Sequence, residues 1–133
     1  MFVFLWCKKK IQDLLRILAV GWLAFLVILS VSKSLGYGHW AWGSIERFLG
    51  GNLQMHFVMA FILSALAHLA CPGFWHRGWL LLLLILGCAL DESLQAVLPL
   101  RNFNPLDFLL TCVGLLLAAL PFMIVHWRMD KSA

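Results

Sequence analysis

The sequence predicts an all-α integral membrane protein, a bundle of four transmembrane helices with the N- and C-termini in the cytoplasm. Three observations predict it. Of 133 residues, 63% are hydrophobic and 12% charged. That is about half the charge of an average soluble domain, and the mean hydropathy is +0.93. The apolar residues fall in four runs, each close to the ~20 residues that cross ~30 Å of hydrocarbon as a helix. The runs are continuous and Leu-rich, without the period-two alternation of a membrane strand. No stretch between them is long enough to build a water-soluble core, so residues 1–133 read as one domain.

The first run extends from about Leu14 to Val31. Lys8, Lys9 and Lys10 precede it, as in a signal peptide. It is too long for an h-region, however, and reads as a retained helix. The following loop, "KSLGYGHWAWGSIERFLGGN", is the longest connection. Within it "SIERFL" can form a short surface helix, with Ile45, Phe48 and Leu49 toward lipid. Gly50-Gly51 gives a turn, and Asn52 is placed to cap the next helix. The second run, Leu53 to Cys71, ends at Pro72-Gly73. The third, Gly78 to Leu98, ends at Pro99. The fourth starts at Pro105 and continues to Trp127.

Lys and Arg set the orientation. One side of the membrane receives Lys8, Lys9, Lys10, Arg16, Arg77, Arg128 and Lys131, and the other only Lys33, Arg47 and Arg101. The richer side is the cytoplasmic one, which holds both termini. The net charge of +4 therefore reflects topology and anionic lipid, and nucleic acid is not an expected partner. Cys7, Cys71, Cys88 and Cys112 lie in no oxidising loop, so no disulfide is predicted. They form no C-x-x-C pair, so no metal site is predicted either. His39, His68, His76 and His126 read as interfacial. A haem between His68 and His126 is possible by depth alone, and no cofactor is predicted.

The informative stretch is "ALDESLQAVLPLRNFNPLD". Measured from Trp79 at the inner interface, Asp91 lies ~18 Å across the membrane, Glu92 ~20 Å and Gln95 ~24 Å. An acid at such depth costs a few kcal/mol and must face partners or a wet cavity. Glu92 and Gln95 share a helix face, as do Asp91 and Gln95. His56 lies one turn into the second helix from its outer end, and Arg101 can fold back over the end of the third. Asp107 opens the fourth helix, with Asn104 as cap and Pro105 at the first position. His56, Glu92, Gln95, Arg101 and Asp107 thus map, with Asp91, to one outer-leaflet layer. Each also has a structural reading: Glu92 as ion-pair partner of Arg101, Arg101 as a snorkelling side chain, Gln95 and His56 as interhelical hydrogen bonds, Asp107 as a helix-start residue. Gly114 and Ala118 form a small-xxx-small pair suited to helix packing.

"MHFVMAFIL" followed by "DESLQAVLPLRNFNPLDFLLTCVG" resembles the VanZ-like membrane protein family. The resemblance covers about 52–118 and rests on His56, Phe57, Glu92, Gln95, Arg101, Asp107 and Gly114. It implies a role in the bacterial cell envelope, of the kind linked to teicoplanin-type glycopeptide resistance, and supplies no reaction. The family's Asp-Lys pair falls on Asn52 and Leu53 here, and its Asn after the last Asp falls on Thr111.

Three functions of different kind remain open. In the first, the polar layer binds an amphiphilic or lipid-linked envelope ligand, Arg101 holding a phosphate or carboxylate and Glu92 with Gln95 a sugar or amide. In the second, Glu92 beside His56 serves as acid or base of an intramembrane enzyme. In the third, the layer fastens helices in a subunit of a larger membrane complex. The first is favoured, with membrane lipid or a lipid-linked precursor as partner.

Overall fold

The computed structural model describes residues 2–71, 77–98 and 104–130. These form five helices: α1 (Phe2–Ser34), α2 (His39–Leu49), α3 (Asn52–Ala70), α4 (Arg77–Val97) and α5 (Pro105–Asp130). Among the described residues there is no strand. The helical class follows the sequence, with two corrections. The bundle has a fifth helix: α2 starts at His39, well ahead of "SIERFL". And α1 extends beyond the apolar run at both ends. Four helices contain segments long and apolar enough to cross a membrane: Lys8–Ser34, Asn52–Ala70, Gly78–Val97 and Pro105–Val125. Pro72-Gly73, Pro99 and Arg101 lie outside the described residues.

The core is the seam between α3 and α5. Ala60, Leu63 and Ser64 of α3 and Gly114, Leu115, Ala118 and Ala119 of α5 are buried in it. The small residues bring the two backbones together. A Cβ placed on Gly114 would stand 2.5 Å from the Phe57 carbonyl oxygen and 3.2 Å from the Phe61 nitrogen, so only glycine fits. The small-xxx-small reading of Gly114 and Ala118 holds, since both are buried at this contact. α4 joins through Leu81, which completes the cluster of Ala60, Leu115 and Ala119, with Leu84, Ile85 and Cys88 packed against it.

α1 is attached differently. It runs antiparallel to α3 and is fastened by side-chain hydrogen bonds spread along its length. The Gln12 amide donates to the Leu69 and Ala70 carbonyls, at 3.1 and 2.5 Å. The Trp22 indole donates to the Met59 carbonyl at 3.2 Å. Lys33 donates to Asn52 Oδ1 at 3.3 Å. Leu69 and Ala70 end their helix, so their carbonyls have no donor within it, and Gln12 supplies one. No residue of the most apolar stretch of α1 is buried.

α2 packs on α3 and touches α1. It has no buried residue, and Trp40 and Phe48 are 80% and 88% exposed. Gly50 (φ 93°) and Gly51 (φ 135°) turn the chain into α3, a conformation that side-chain-bearing residues adopt only at a cost. The residue before α3 is Gly51, and it makes no side-chain cap bond. Asn52 is therefore not the cap that the sequence suggested. Its side chain is engaged elsewhere.

Candidate functional site

Each inner helix carries an inward stripe, and each stripe turns polar at the same end of the bundle. On α4 the stripe steps by four and three residues through Leu81, Ile85 and Cys88, then reaches Glu92 and Gln95, which are 5% and 3% exposed. On α5 it rises from Leu115 through Thr111 to Asp107, both buried. On α3 it steps by four from Ser64 through Ala60 to His56 and Asn52. A helix face repeats at such spacings, so the helix geometry that buries the core also turns these polar groups inward. The C-terminal ends of α1 and α4 meet the N-terminal ends of α3 and α5 there.

Asp107 is the centre of the larger group. Its Oδ2 accepts from Asn52 Nδ2 at 2.6 Å, and lies 3.7 Å from His56 Nε2. Its Oδ1 accepts from Asn104 Nδ2 at 3.1 Å. Asn104 caps α5 as the sequence suggested: its Oδ1 accepts from the Leu106 backbone N–H at 3.2 Å. On the other side of the imidazole, His56 Nδ1 lies 3.4 Å from Thr111 Oγ1. Lys33 closes the row through Asn52, and its ammonium also stands 4.8 Å from the centre of the Trp42 ring. The result is a continuous polar row, Lys33–Asn52–Asp107–His56–Thr111, drawn from α1, α3 and α5.

A second group joins α1 to α4. The Ser30 hydroxyl donates to Asp91 Oδ1 at 2.5 Å, and Gln95 Nε2 donates to Asp91 Oδ2 at 2.9 Å. Beside them is a half-open groove of about 150 Å³, lined by Ser30, Val31, Ser34 and Leu35 of α1 and Asp91, Leu94, Gln95 and Leu98 of α4.

Of the residues expected in the site, the structure brings together His56 and Asp107, and buries Glu92 and Gln95 on the α4 stripe at the same end. Arg101 lies outside the described residues. Sequence reasoning missed Lys33, Asn52, Thr111 and Ser30.

One histidine corrects the sequence reading. His68 was expected at an interface, but it is 1% exposed, stacked on Phe122 with ring centres 5.5 Å apart. Its Nδ1 lies 2.8 Å from the Ser64 carbonyl. Ser64 in turn donates to the Leu115 carbonyl at 2.9 Å, so the pair tightens the seam. Among the described residues no group of three or more His, Cys, Asp or Glu side chains could hold a metal ion, and Cys71, Cys88 and Cys112 are free thiols.

Comparison with protein-family models, with curated proteins and with solved structures finds no match.

Proposed function

We propose that the protein is a VanZ-like, multi-pass protein of the bacterial cytoplasmic membrane, with both termini cytoplasmic, that binds an amphiphilic or lipid-linked envelope ligand in the outer leaflet. The observation that carries this reading is the polar end of the three inward stripes. Elsewhere the seam packs mostly on Leu, Ala and Gly, with Ser64 and His68 as its buried polar pair. Placing Glu92, Gln95, Asp107, His56 and Asn52 at one end instead costs desolvation that a ligand's polar groups can offset. Lys33 adds a donor of positive charge suited to a phosphate or carboxylate, as does Arg101 in the sequence. A glycopeptide-resistance-like role follows if the ligand is a cell-wall precursor.

A catalytic reading is favoured by one observation. His56 stands between a carboxylate and a hydroxyl, Asp107 and Thr111, the order in which a base is oriented and an alcohol activated. On that reading Thr111→Ser retains activity toward a lipid-linked substrate and Thr111→Val abolishes it. A subunit role in a larger membrane complex would instead make the polar end a fastening between helices.

The test sets His56→Ala, Glu92→Gln and Arg101→Ala beside the wild type. Sensitivity to a lipoglycopeptide is measured together with the amount of protein in the membrane. A binding site predicts lost phenotype at unchanged abundance. If every loss of phenotype follows lost protein, the polar end is helix glue and the reading fails. Orientation is tested separately. A cysteine at Ser44 is labelled by a membrane-impermeant reagent in intact cells and one at Ser132 is not. The opposite pattern reverses the topology.

A further inference from the structure

Asp91 is the acid of the polar end that lines the groove between α1 and α4. Its carboxylate is engaged by the Ser30 hydroxyl and the Gln95 amide, at 2.5 and 2.9 Å. Both donors are neutral, and among the described residues no cation stands within ion-pair distance of it. The remaining walls of the groove are Val31, Leu35, Leu94 and Leu98, with the Ser34 hydroxyl. An acid in an apolar groove, held by neutral donors, favours a positive charge arriving from outside. The groove is small: about 150 Å³ is room for about five water molecules at their liquid volume of ~30 Å³.

We infer that this groove is a subsite for the primary ammonium head group of a membrane lipid, of the ethanolamine type, with Asp91 as the counter-charge. The inference rests on the reading of this end of the bundle as the outer-leaflet site, and names the head-group chemistry that it takes. The ammonium N–H groups donate to Asp91, and the Ser30, Ser34 and Gln95 side-chain oxygens are further acceptors within the lining. The apolar walls receive the methylenes that follow the nitrogen. A quaternary ammonium carries the same charge but has no N–H to donate. Discrimination between the two therefore measures hydrogen bonding at constant charge.

The experiment uses the full-length protein in detergent and native mass spectrometry of retained lipid. The probes are phosphatidylethanolamine, its N-methyl and N,N-dimethyl derivatives, and phosphatidylcholine, all with the same acyl chains. Retention falls along this series, with phosphatidylcholine held roughly ten- to a hundredfold more weakly, the worth of a charge-assisted hydrogen bond. Asp91→Asn flattens the series. Ser30→Ala, which leaves the carboxylate in place, preserves it. Equal retention of the first and last lipids by the wild type overturns the inference, as does an Asp91→Asn protein that still discriminates. If neither variant stays monodisperse, the wild-type series alone decides. A flat series beside an envelope phenotype that His56→Ala abolishes at constant abundance removes the ammonium subsite and leaves the site reading intact. A graded series beside a phenotype that only follows protein amount supports the subsite and removes the envelope role.

Discussion

The two contacts of α3 use opposite means. Toward α5 it is joined by shape. Gly114 lets backbones meet, Leu115 and Ala119 are wholly buried, and Ser64 and His68 tie into the same surface. Toward α1 it is joined by a few donors, Gln12, Trp22 and Lys33, across a helix whose most apolar stretch has no buried residue. In lipid there is no gain from merely hiding Leu from water. Close approach and interhelical hydrogen bonds are what remain to hold helices. The first kind of contact is intolerant of a single added carbon. The second tolerates loss of any one donor, because each contributes little alone. The polar row Lys33–Asn52–Asp107–His56–Thr111 crosses from one regime to the other, so the site has a fixed wall on α3 and α5 and a lightly held wall on α1.

The largest expected effect comes from breaking the fixed wall. Gly114→Leu forces the backbones of α3 and α5 apart and is expected to cost about 3 kcal/mol, the upper end of overpacking. Unfolding in mixed micelles measures it. A loss under about 0.5 kcal/mol, the size of a bland surface change, would mean that the seam is loose and the contrast wrong. Asp107→Ala comes next. It strands the Asn52 amide and removes the Asn104 bond at the start of α5, for an expected ~1–3 kcal/mol. The same unfolding assay, with Asp107→Asn as the milder partner, checks that the loss is polar rather than steric.

The lightly held wall should answer more gently. Gln12→Leu and Trp22→Phe are each expected to cost about 0.6 kcal/mol, the average of interhelical hydrogen bonds measured in a membrane protein. The two should add, being far apart along α1. Spin labels on α1 and α3 should show a broader distance distribution in the double variant, while labels on α3 and α5 keep theirs. Broadening in both pairs would show that α1 braces the seam. Smallest of all is Phe48→Ser on α2. This side chain is 88% exposed, and its loss is expected to leave stability within ~0.5 kcal/mol of wild type. A larger fall would mean that α2 braces the bundle.

Depth along the helices was legible in the sequence, because residues can be counted from Trp79 and from the proline and glycine breaks. That placed His56, Glu92, Gln95 and Asp107 at one level. Rotation was also there to be read: the steps from Leu81 through Cys88 to Glu92 and Gln95 describe a single inward stripe. Pairing was not legible. Nothing in the spacing of "SVSKS" says that Ser30 faces Asp91 while Lys33, three residues on, faces Asn52. Those contacts depend on which helix α1 lies against, and an apolar helix in lipid carries little sequence information about its neighbour. Asn52 was misread for a related reason. It stands where a cap is common, but Gly51 occupies that place and frees the Asn52 side chain to bridge Lys33 and Asp107.

The Gln12 bond to the end of α3 has a consequence in time. Donor and acceptor are 58 residues apart in the chain, so at a synthesis rate of ~5–20 residues per second the acceptor follows the donor by about 3–12 s. During that interval Gln12 has no carbonyl at the end of α3 to meet, while Trp22 can already reach Met59 once that residue is made. The first helix made is therefore not fixed when it is made: its full set of contacts with α3 forms only after α3 has been translated to its end.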